Sequence, residues 1–139
     1  MRPINLVALI DDDEIIQFIG TKVIESTNLV DRIKTFSNGE EAINFLKSNS
    51  KNPDLLPEII LLDLNMPIMN GFEFLEKFIM LEPKLGKKIT IYVVSSSVSP
   101  IDIEKLNKIS EVSDYIIKPI TKEKFEKIVH VLMEERSSG

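Results

Sequence analysis

The chain has 139 residues, of which 43% are hydrophobic and 28% charged, and its formal net charge at pH 7 is −5. These values predict one globular domain over residues 1–139, and the acidic balance argues against binding to nucleic acid or to anionic membranes. Cysteine is absent, which excludes disulfides and thiol chemistry. Neither a signal peptide nor an apolar run of membrane-spanning length is found, so we expect a cytoplasmic protein.

The first half of the chain alternates short aliphatic runs with longer segments of helical periodicity, which is typical of an α/β architecture. Strands are predicted over 4–10, 31–36 and 58–63, and helices over 14–26 and 40–48. The second strand is the most polar of the three and is predicted near an edge of the sheet. In the first helix, we expect Ile15, Ile19 and Val23 to be buried.

The second half of the chain repeats this alternation and brings the number of β–α units to five. Its predicted elements are a helix over 72–81, a strand over 88–96, a helix over 101–109, a strand over 113–119 and a helix over 121–135. The inward face of the last helix is predicted to carry Phe125, Ile128, Val129 and Leu132. Two prolines predict a long loop over 48–58, and the terminal "RSSG" is interpreted as a frayed end.

Three consecutive aspartates follow the first predicted strand. Two unit charges about 5 Å apart repel by roughly 3 kcal/mol at an effective dielectric near 20, so this cluster is unfavourable unless a cation offsets it. Asp13 is predicted to cap the helix that begins at Glu14, because aspartate is a preferred residue at that position. Asp11 and Asp12 then remain as candidates for a cation site.

Complementary polar residues stand at the ends of four predicted strands: Asp11 and Asp12, then Asp63, then Ser95, then Lys118. Ligands of an open parallel sheet bind beyond the carboxyl ends of its strands, so we expect these side chains to meet at one edge. Clustered carboxylates suit Mg²⁺, which prefers hard oxygen ligands. A carboxylate beside such an ion can act as a nucleophile towards phosphorus, with the lysine and the hydroxyl binding phosphoryl oxygens. The pattern therefore predicts phosphoryl transfer to an aspartate.

Four motifs together carry a family resemblance: "DDD" (11–13), "LLDLNMPIMNGFEFL" (61–75), "VVSSS" (93–97) and "YIIKPI" (115–120). With them the chain resembles the receiver domain of two-component response regulators over about residues 4–135. The resemblance implies a flavodoxin-like, doubly wound (βα)5 fold with a five-stranded parallel sheet in the order 2-1-3-4-5. It also implies a phosphoprotein that works in phosphorelay signal transduction through an aspartyl phosphate.

The resemblance also implies a metal site and a phosphoacceptor. Asp63 would be the phosphoacceptor and, with Asp11, Asp12 and the main-chain carbonyl of Asn65, would hold Mg²⁺, for which Mn²⁺ could substitute. Asp12 would bind the ion directly, and Asp11 would act mainly through water.

Further residues take roles by the same resemblance. Ser95 and Lys118 would stabilise the phosphoryl group, and Ser95 and Tyr115 would form a switch in which both move inward on phosphorylation. The peptide bond before Pro119 is a candidate for the cis form.

The resemblance implies protein partners. A sensor histidine kinase or a histidine phosphotransfer protein would supply the phosphoryl group, and an unidentified protein would be the downstream target. We expect no output domain after the last predicted helix, so the chain resembles the stand-alone, chemotaxis-regulator-like type. We expect no enzymatic activity beyond phosphoryl acceptance and autodephosphorylation. The alternative to a regulator that acts on a downstream target is a relay intermediate that passes the phosphoryl group to a histidine phosphotransfer protein.

Other interpretations fit the sequence less well. A phosphohydrolase of the haloacid dehalogenase type requires an aspartate two residues after the nucleophile, where this chain has Asn65. A flavin-binding protein requires a first loop rich in Ser, Thr and Gly to bind phosphate, where this chain has three aspartates. A degenerate receiver used only as a scaffold would not need the intact set of acids, serine and lysine. His130 is interpreted as structural or exposed. Met66 and Met69 are candidates for partner contact.

Overall fold

Residues 2–138, the part of the chain described by our computed structural model, form a parallel sheet of five strands in the order β2-β1-β3-β4-β5. The strands are β1 (Ile4–Ile10), β2 (Val30–Phe36), β3 (Ile59–Leu62), β4 (Thr90–Ser95) and β5 (Val112–Ile117). The helices are α1 (Glu14–Ser26), α2 (Gly39–Ser48), α3 (Gly71–Leu81), α4 (Pro100–Asn107) and α5 (Lys122–Ser138). The predicted fold is confirmed, and β2 is an edge strand as expected.

The register of the sheet brings the carboxyl ends of its strands to a common edge. Ile10 of β1 pairs with Phe36 of β2 on one side and with Leu62 of β3 on the other. Leu62 in turn pairs with Val93 of β4, and Val93 with Tyr115 of β5. The residues that follow these pairs therefore lie next to one another along the carboxyl edge of the sheet.

The core has two halves, one on each face of the sheet, because the inner strands β1, β3 and β4 are largely apolar and nearly all of their residues are buried on both faces. One half packs under α2, α3 and α4 and includes Ala8, Ile10, Ile43, Leu46, Leu62, Phe74, Phe78 and Leu106. The other packs under α1 and α5 and includes Val7, Leu9, Ile24, Leu61, Phe125, Ile128, Val129 and Leu132. The predicted inward face of the last helix is confirmed. Among residues 2–138, no helix is long and apolar enough to cross a membrane.

The predicted burial of α1 is wrong in its first half. Ile15 is 68% exposed and Ile19 is 47% exposed, while Val23 is half-buried. The buried residues of α1 are Gly20 and Ile24, further along the helix. The first turn of α1 starts at the carboxyl edge of the sheet, where the strands end, so little of the sheet remains there to cover it.

The last helix extends beyond its predicted end and reaches Ser138. Arg136 is therefore helical rather than frayed, and its guanidinium forms a salt bridge with the carboxylate of Glu58. Glu58 is 8% exposed, and its Oε1 also accepts a hydrogen bond of 2.7 Å from the backbone N–H of Asn5. These contacts tie the end of α5 to the amino-terminal edge of the sheet. Gly139 lies outside the described residues.

The predicted loop over 48–58 contains a short 3-10 helix, Pro53–Leu55. The carbonyl of Asp54 in this turn accepts hydrogen bonds of 2.9 Å from the side chains of Asn5 and Arg32. The loop is thus attached to β1 and β2 at the edge of the sheet opposite the acidic residues.

Candidate functional site

Three aspartates converge at the carboxyl edge of the sheet. One carboxylate oxygen from each of Asp11, Asp12 and Asp63 lies within 4.8 Å of the others. Asp11 and Asp63 are 1% and 5% exposed, whereas Asp12 is exposed to solvent. The sheet positions the two buried residues, because the N–H of Asp11 donates to the Phe36 carbonyl at 3.0 Å and the N–H of Asp63 to the Ile10 carbonyl at 2.9 Å.

The loop after β1 is held by its own aspartates. Oδ1 of Asp13 accepts hydrogen bonds from the N–H groups of Ile15 at 2.8 Å and Ile16 at 3.3 Å, so the predicted helix cap is confirmed. The N–H of Asp13 donates to Oδ1 of Asp11 at 2.9 Å. The third acid therefore orders the loop, and the other two point their carboxylates towards Asp63.

Lys118 supplies a positive charge against the acids. Its Nζ lies 2.7 Å from Oδ2 of Asp11 and 3.5 Å from Oδ1 of Asp63. Burial disfavours the charged amine, but the hydrogen bond and charge of Asp11, with a further contribution from Asp63, raise the pKa of Lys118. Its N–H donates to the Ser95 carbonyl at 2.8 Å, and the Lys118–Pro119 peptide bond, the predicted candidate, is cis in the structure.

The electrostatics around Asp63 favour an additional cation. Burial, the charge of Asp11 and, less strongly, that of Asp12 raise the pKa of Asp63, and Lys118 and the Asn65 backbone N–H oppose this rise only in part. Three carboxylates thus face one ammonium group. Carboxylate oxygens with a main-chain carbonyl in the following loop are a donor set that suits Mg²⁺, so the residues present fit this ion.

The loop after Asp63 is packed too tightly for a side chain at Gly71. A Cβ at Gly71 would lie 2.7 Å from the Asp63 carbonyl oxygen and 2.8 Å from Cα of Leu64. The N–H of Gly71 donates to the Leu64 carbonyl at 2.9 Å. Met66 is 9% exposed and belongs to the core, so its prediction as a partner contact is wrong; Met69 is half-buried against the same core. Met69 lies against the start of α2, where the N–H of Gly39 donates to its carbonyl at 3.2 Å.

The two proposed switch residues occupy β4 and β5. Ser95 is 1% exposed, and its hydroxyl donates to the Ser97 carbonyl at 2.8 Å. Tyr115 is half-buried and packs against the core under α2, α3 and α4. The Ser95 hydroxyl is therefore engaged with its own loop, and the inward movement of both residues stays a prediction.

One residue that contacts the acidic loop was missed from the sequence. The side-chain amide of Gln17 in α1 donates to the Asp11 carbonyl at 2.6 Å and to the Phe36 carbonyl at 3.3 Å. A glutamine in the first turns of a helix is usually a solvent-exposed polar residue. Its spacing of four residues from the cap at Asp13 is the signal that could have placed it over the strand ends.

His130 does not belong to this site. It is exposed on α5, and its Nε2 lies 3.0 Å from Oε1 of Glu134, one turn along the same helix. The interpretation of this histidine as structural or exposed agrees with the structure.

The sequence matches a known family over residues 7–130, the response regulator receiver domain. The chain therefore belongs to the response regulator receiver domain family, which works in two-component signalling.

Individual relatives agree with this assignment. The probable methanogenesis regulatory protein FilR2 of Methanothrix harundinacea is 26% identical over 93% of this chain and 81% of its own length. The nitrate/nitrite response regulator protein NarL of Escherichia coli K12 is 36% identical over 65% of this chain, a match that spans only 38% of that protein.

Solved structures agree as well. A two component response regulator from Cytophaga hutchinsonii superposes with a TM-score of 0.86 at 32% identity, covering 96% of this chain and 99% of the other. The chemotaxis protein CheY4 of Vibrio cholerae has a TM-score of 0.71 at 20% identity, covers 91% of this chain and 96% of the other, and shares the fold.

Proposed function

We propose that this protein accepts a phosphoryl group on Asp63 from the phosphohistidine of a sensor histidine kinase or a histidine phosphotransfer protein, in a Mg²⁺-dependent reaction. The observation that carries the proposal is the position of Lys118, whose ammonium group lies between the carboxylates of Asp11 and Asp63. Together with Asp12, these two residues form a cluster of three carboxylates. A buried carboxylate next to an ammonium group and two further carboxylates is suited to phosphoryl transfer, where positioning and charge neutralisation lower the barrier.

The chemistry at Asp63 is a displacement at phosphorus. A carboxylate oxygen of Asp63 forms a bond to phosphorus while the P–N bond of the phosphohistidine breaks, and its electron pair returns to the imidazole. Lys118 and the hydroxyl of Ser95 then bind phosphoryl oxygens. Asp11, Asp12, Asp63 and the carbonyl of Asn65 would hold Mg²⁺, which neutralises charge on the phosphoryl oxygens when it is bound.

Exposed apolar side chains next to the site support a protein as the phosphoryl donor. Ile15, Phe18 and Ile19 of α1 are 68%, 63% and 47% exposed, and α1 begins directly after the acidic loop. Contiguous exposed apolar surface of this kind marks contact with other proteins. We propose that the donor docks there and that signalling proceeds through a phosphorylation-dependent contact with a downstream protein.

We propose that residues 1–139 form one receiver domain that works in the cytoplasm, and we expect neither catalytic activity beyond phosphoryl acceptance and autodephosphorylation nor binding to nucleic acid. A relay intermediate that returns the phosphoryl group to a phosphotransfer protein would use the same site. The phosphohydrolase interpretation lacks support, because Asn65 stands where a second catalytic aspartate would be needed.

The test is labelling by acetyl phosphate. With MgCl₂ the wild type should gain one base-labile phosphoryl group, seen as one phosphoryl increment by intact mass spectrometry, and EDTA should abolish it. D63N should not be labelled, whereas D31N, which changes an exposed aspartate in β2, should be labelled like the wild type. Equal labelling of D63N and wild type would contradict the assignment.

A further inference from the structure

Gln17 joins the first helix to the ends of two strands. Its Nε2 lies 2.6 Å from the Asp11 carbonyl oxygen, 3.3 Å from the Phe36 carbonyl oxygen and 3.4 Å from Oγ of Ser37. An amide nitrogen carries two hydrogens, so these three acceptors share two protons and the shortest contact dominates. The side chain is half-buried, which favours a persistent contact over a transient one.

The carbonyl that Gln17 holds belongs to the most constrained residue of the acidic site. The N–H of Asp11 donates to the Phe36 carbonyl, its Oδ1 accepts from the N–H of Asp13, and its Oδ2 accepts from Lys118. The amide of Gln17 donates to the remaining polar group of Asp11, its backbone carbonyl. Because Asp11 is 1% exposed, water cannot easily replace this donor.

We propose that Gln17 is a positioning residue for the cation site, a role that rests on the proposed function. The carbonyl that it holds is part of the peptide unit joining Asp11 to Asp12, so the contact sets the direction of that peptide and, through it, of the Asp12 carboxylate. Gln17 does not touch the ion. Groups that orient the ligands of a metal typically contribute 10- to 100-fold to its affinity, and Gln17 is expected to act near the lower end of this range.

The experiment is a titration of the full chain with MgCl₂ alone, in which calorimetry measures the affinity and NMR measures the carbonyl resonances. Gln17→Met keeps the length of the side chain and replaces one good helix former with another, but it removes the amide donor. It should bind Mg²⁺ roughly tenfold more weakly than the wild type, and the carbonyl ¹³C resonance of Asp11 should shift before any ion is added. Ser37→Ala removes only the longest contact and should bind Mg²⁺ like the wild type.

Stability measured in EDTA separates positioning from folding. A Gln17→Met protein that unfolds more easily but binds Mg²⁺ with wild-type affinity would overturn the proposal, since the contact would then be merely structural. If Gln17→Met does not fold, Gln17→Asn, whose amide is too short to span the same gap, should show the weaker binding, and wild-type affinity in this variant would also overturn the proposal.

Phosphoryl transfer is read separately from ion binding. A wild type that binds Mg²⁺ but takes no phosphoryl group at Asp63 would contradict the proposed function, while the affinity difference would still decide the role of Gln17. A wild type that does not bind Mg²⁺ would overturn the role of Gln17 as well.

Discussion

Lys118 is paired more closely with Asp11 than with Asp63: its Nζ lies 2.7 Å from Oδ2 of Asp11 but 3.5 Å from the nearer oxygen of Asp63. The ammonium group therefore pairs with two of the carboxylates that would hold Mg²⁺. We therefore expect the lysine and Mg²⁺ to compete for Asp11, although the proposed phosphoryl transfer would use both charges.

Replacement of Lys118 by methionine should separate these two effects. Lys118→Met removes the competing charge, so Mg²⁺ should bind severalfold more tightly, and labelling of Asp63 by acetyl phosphate should slow by at least tenfold. Calorimetric titration and intact mass spectrometry measure the two quantities. Lys127→Met, at an exposed position on α5, is the matched control and should change neither. Weaker Mg²⁺ binding by Lys118→Met would refute the competition.

Gly71 and Gly20 should respond differently to alanine. At Gly71 a Cβ would meet backbone atoms of Asp63 and Leu64 that cannot move independently, so Gly71→Ala should lower the free energy of unfolding by about 1–3 kcal/mol and slow labelling. At Gly20 the nearest atom is the flexible end of Leu9, 2.9 Å away, and alanine favours the helix. Gly20→Ala should therefore change stability by less than about 1 kcal/mol. Urea unfolding compares the two variants, and equal effects would argue against a rigid loop.

Ile68 lies in a strained turn. Its φ is 67°, the N–H of Met69 donates to the Pro67 carbonyl across it at 2.7 Å, and its side chain is 73% exposed. A β-branched residue rarely adopts positive φ, so Ile68→Gly should raise the free energy of unfolding by about 1 kcal/mol. Asn28→Gly is the control, since Asn28 has a φ of 58° that asparagine tolerates. A loss of stability in Ile68→Gly would show that the side chain contributes more than the strain costs.

The switch prediction concerns Ser95 and Tyr115. Saturation with beryllofluoride and Mg²⁺ should turn the Ser95 hydroxyl from the Ser97 carbonyl towards Asp63, and Tyr115 should move inward in response. NMR spectra with and without the mimic measure this, and Ser95→Ala should weaken the change at Tyr115. Unchanged resonances of both residues at full occupancy would exclude the coupling, though not phosphorylation of Asp63.

A pH dependence of stability is expected from Glu82, away from the acidic site. Burial, together with the charge of Glu111, raises the pKa of Glu82 above 4.5, and Lys88 only partly opposes this. The folded state therefore binds the proton more tightly than the unfolded state, and stability is lost as pH rises from about 4.5 through the folded pKa.

Glu82→Gln should consequently be more stable than wild type at pH 7.5 and equal to it below pH 4.5. Urea unfolding at the two pH values checks this. The gain at pH 7.5 should shrink when Glu111→Gln is already present, and a gain that is the same at both pH values would contradict the role of the Glu82 charge.

Local features of the sequence determined much of the fold. The alternation of aliphatic runs with helical periodicity predicted five β–α units, because each run is long enough for only one buried strand. Asp13 could be predicted as a helix cap because the interaction spans only two or three residues. The polar residues Asp63, Ser95 and Lys118 could be placed at one edge because parallel strands all end on the same side of the sheet.

What the tertiary structure decided was which surfaces are covered and which polar groups meet. Periodicity shows that α1 has an apolar face. It cannot show that the first turn of α1 lies beyond the edge of the sheet, which leaves the Ile15 side chain in solvent. The contacts of Gln17 with Asp11, and the closer approach of Lys118 to Asp11 than to Asp63, depend on side-chain conformations and on the packing of elements far apart in the chain. Such choices are made only when the elements come together, because each of these side chains could reach several partners.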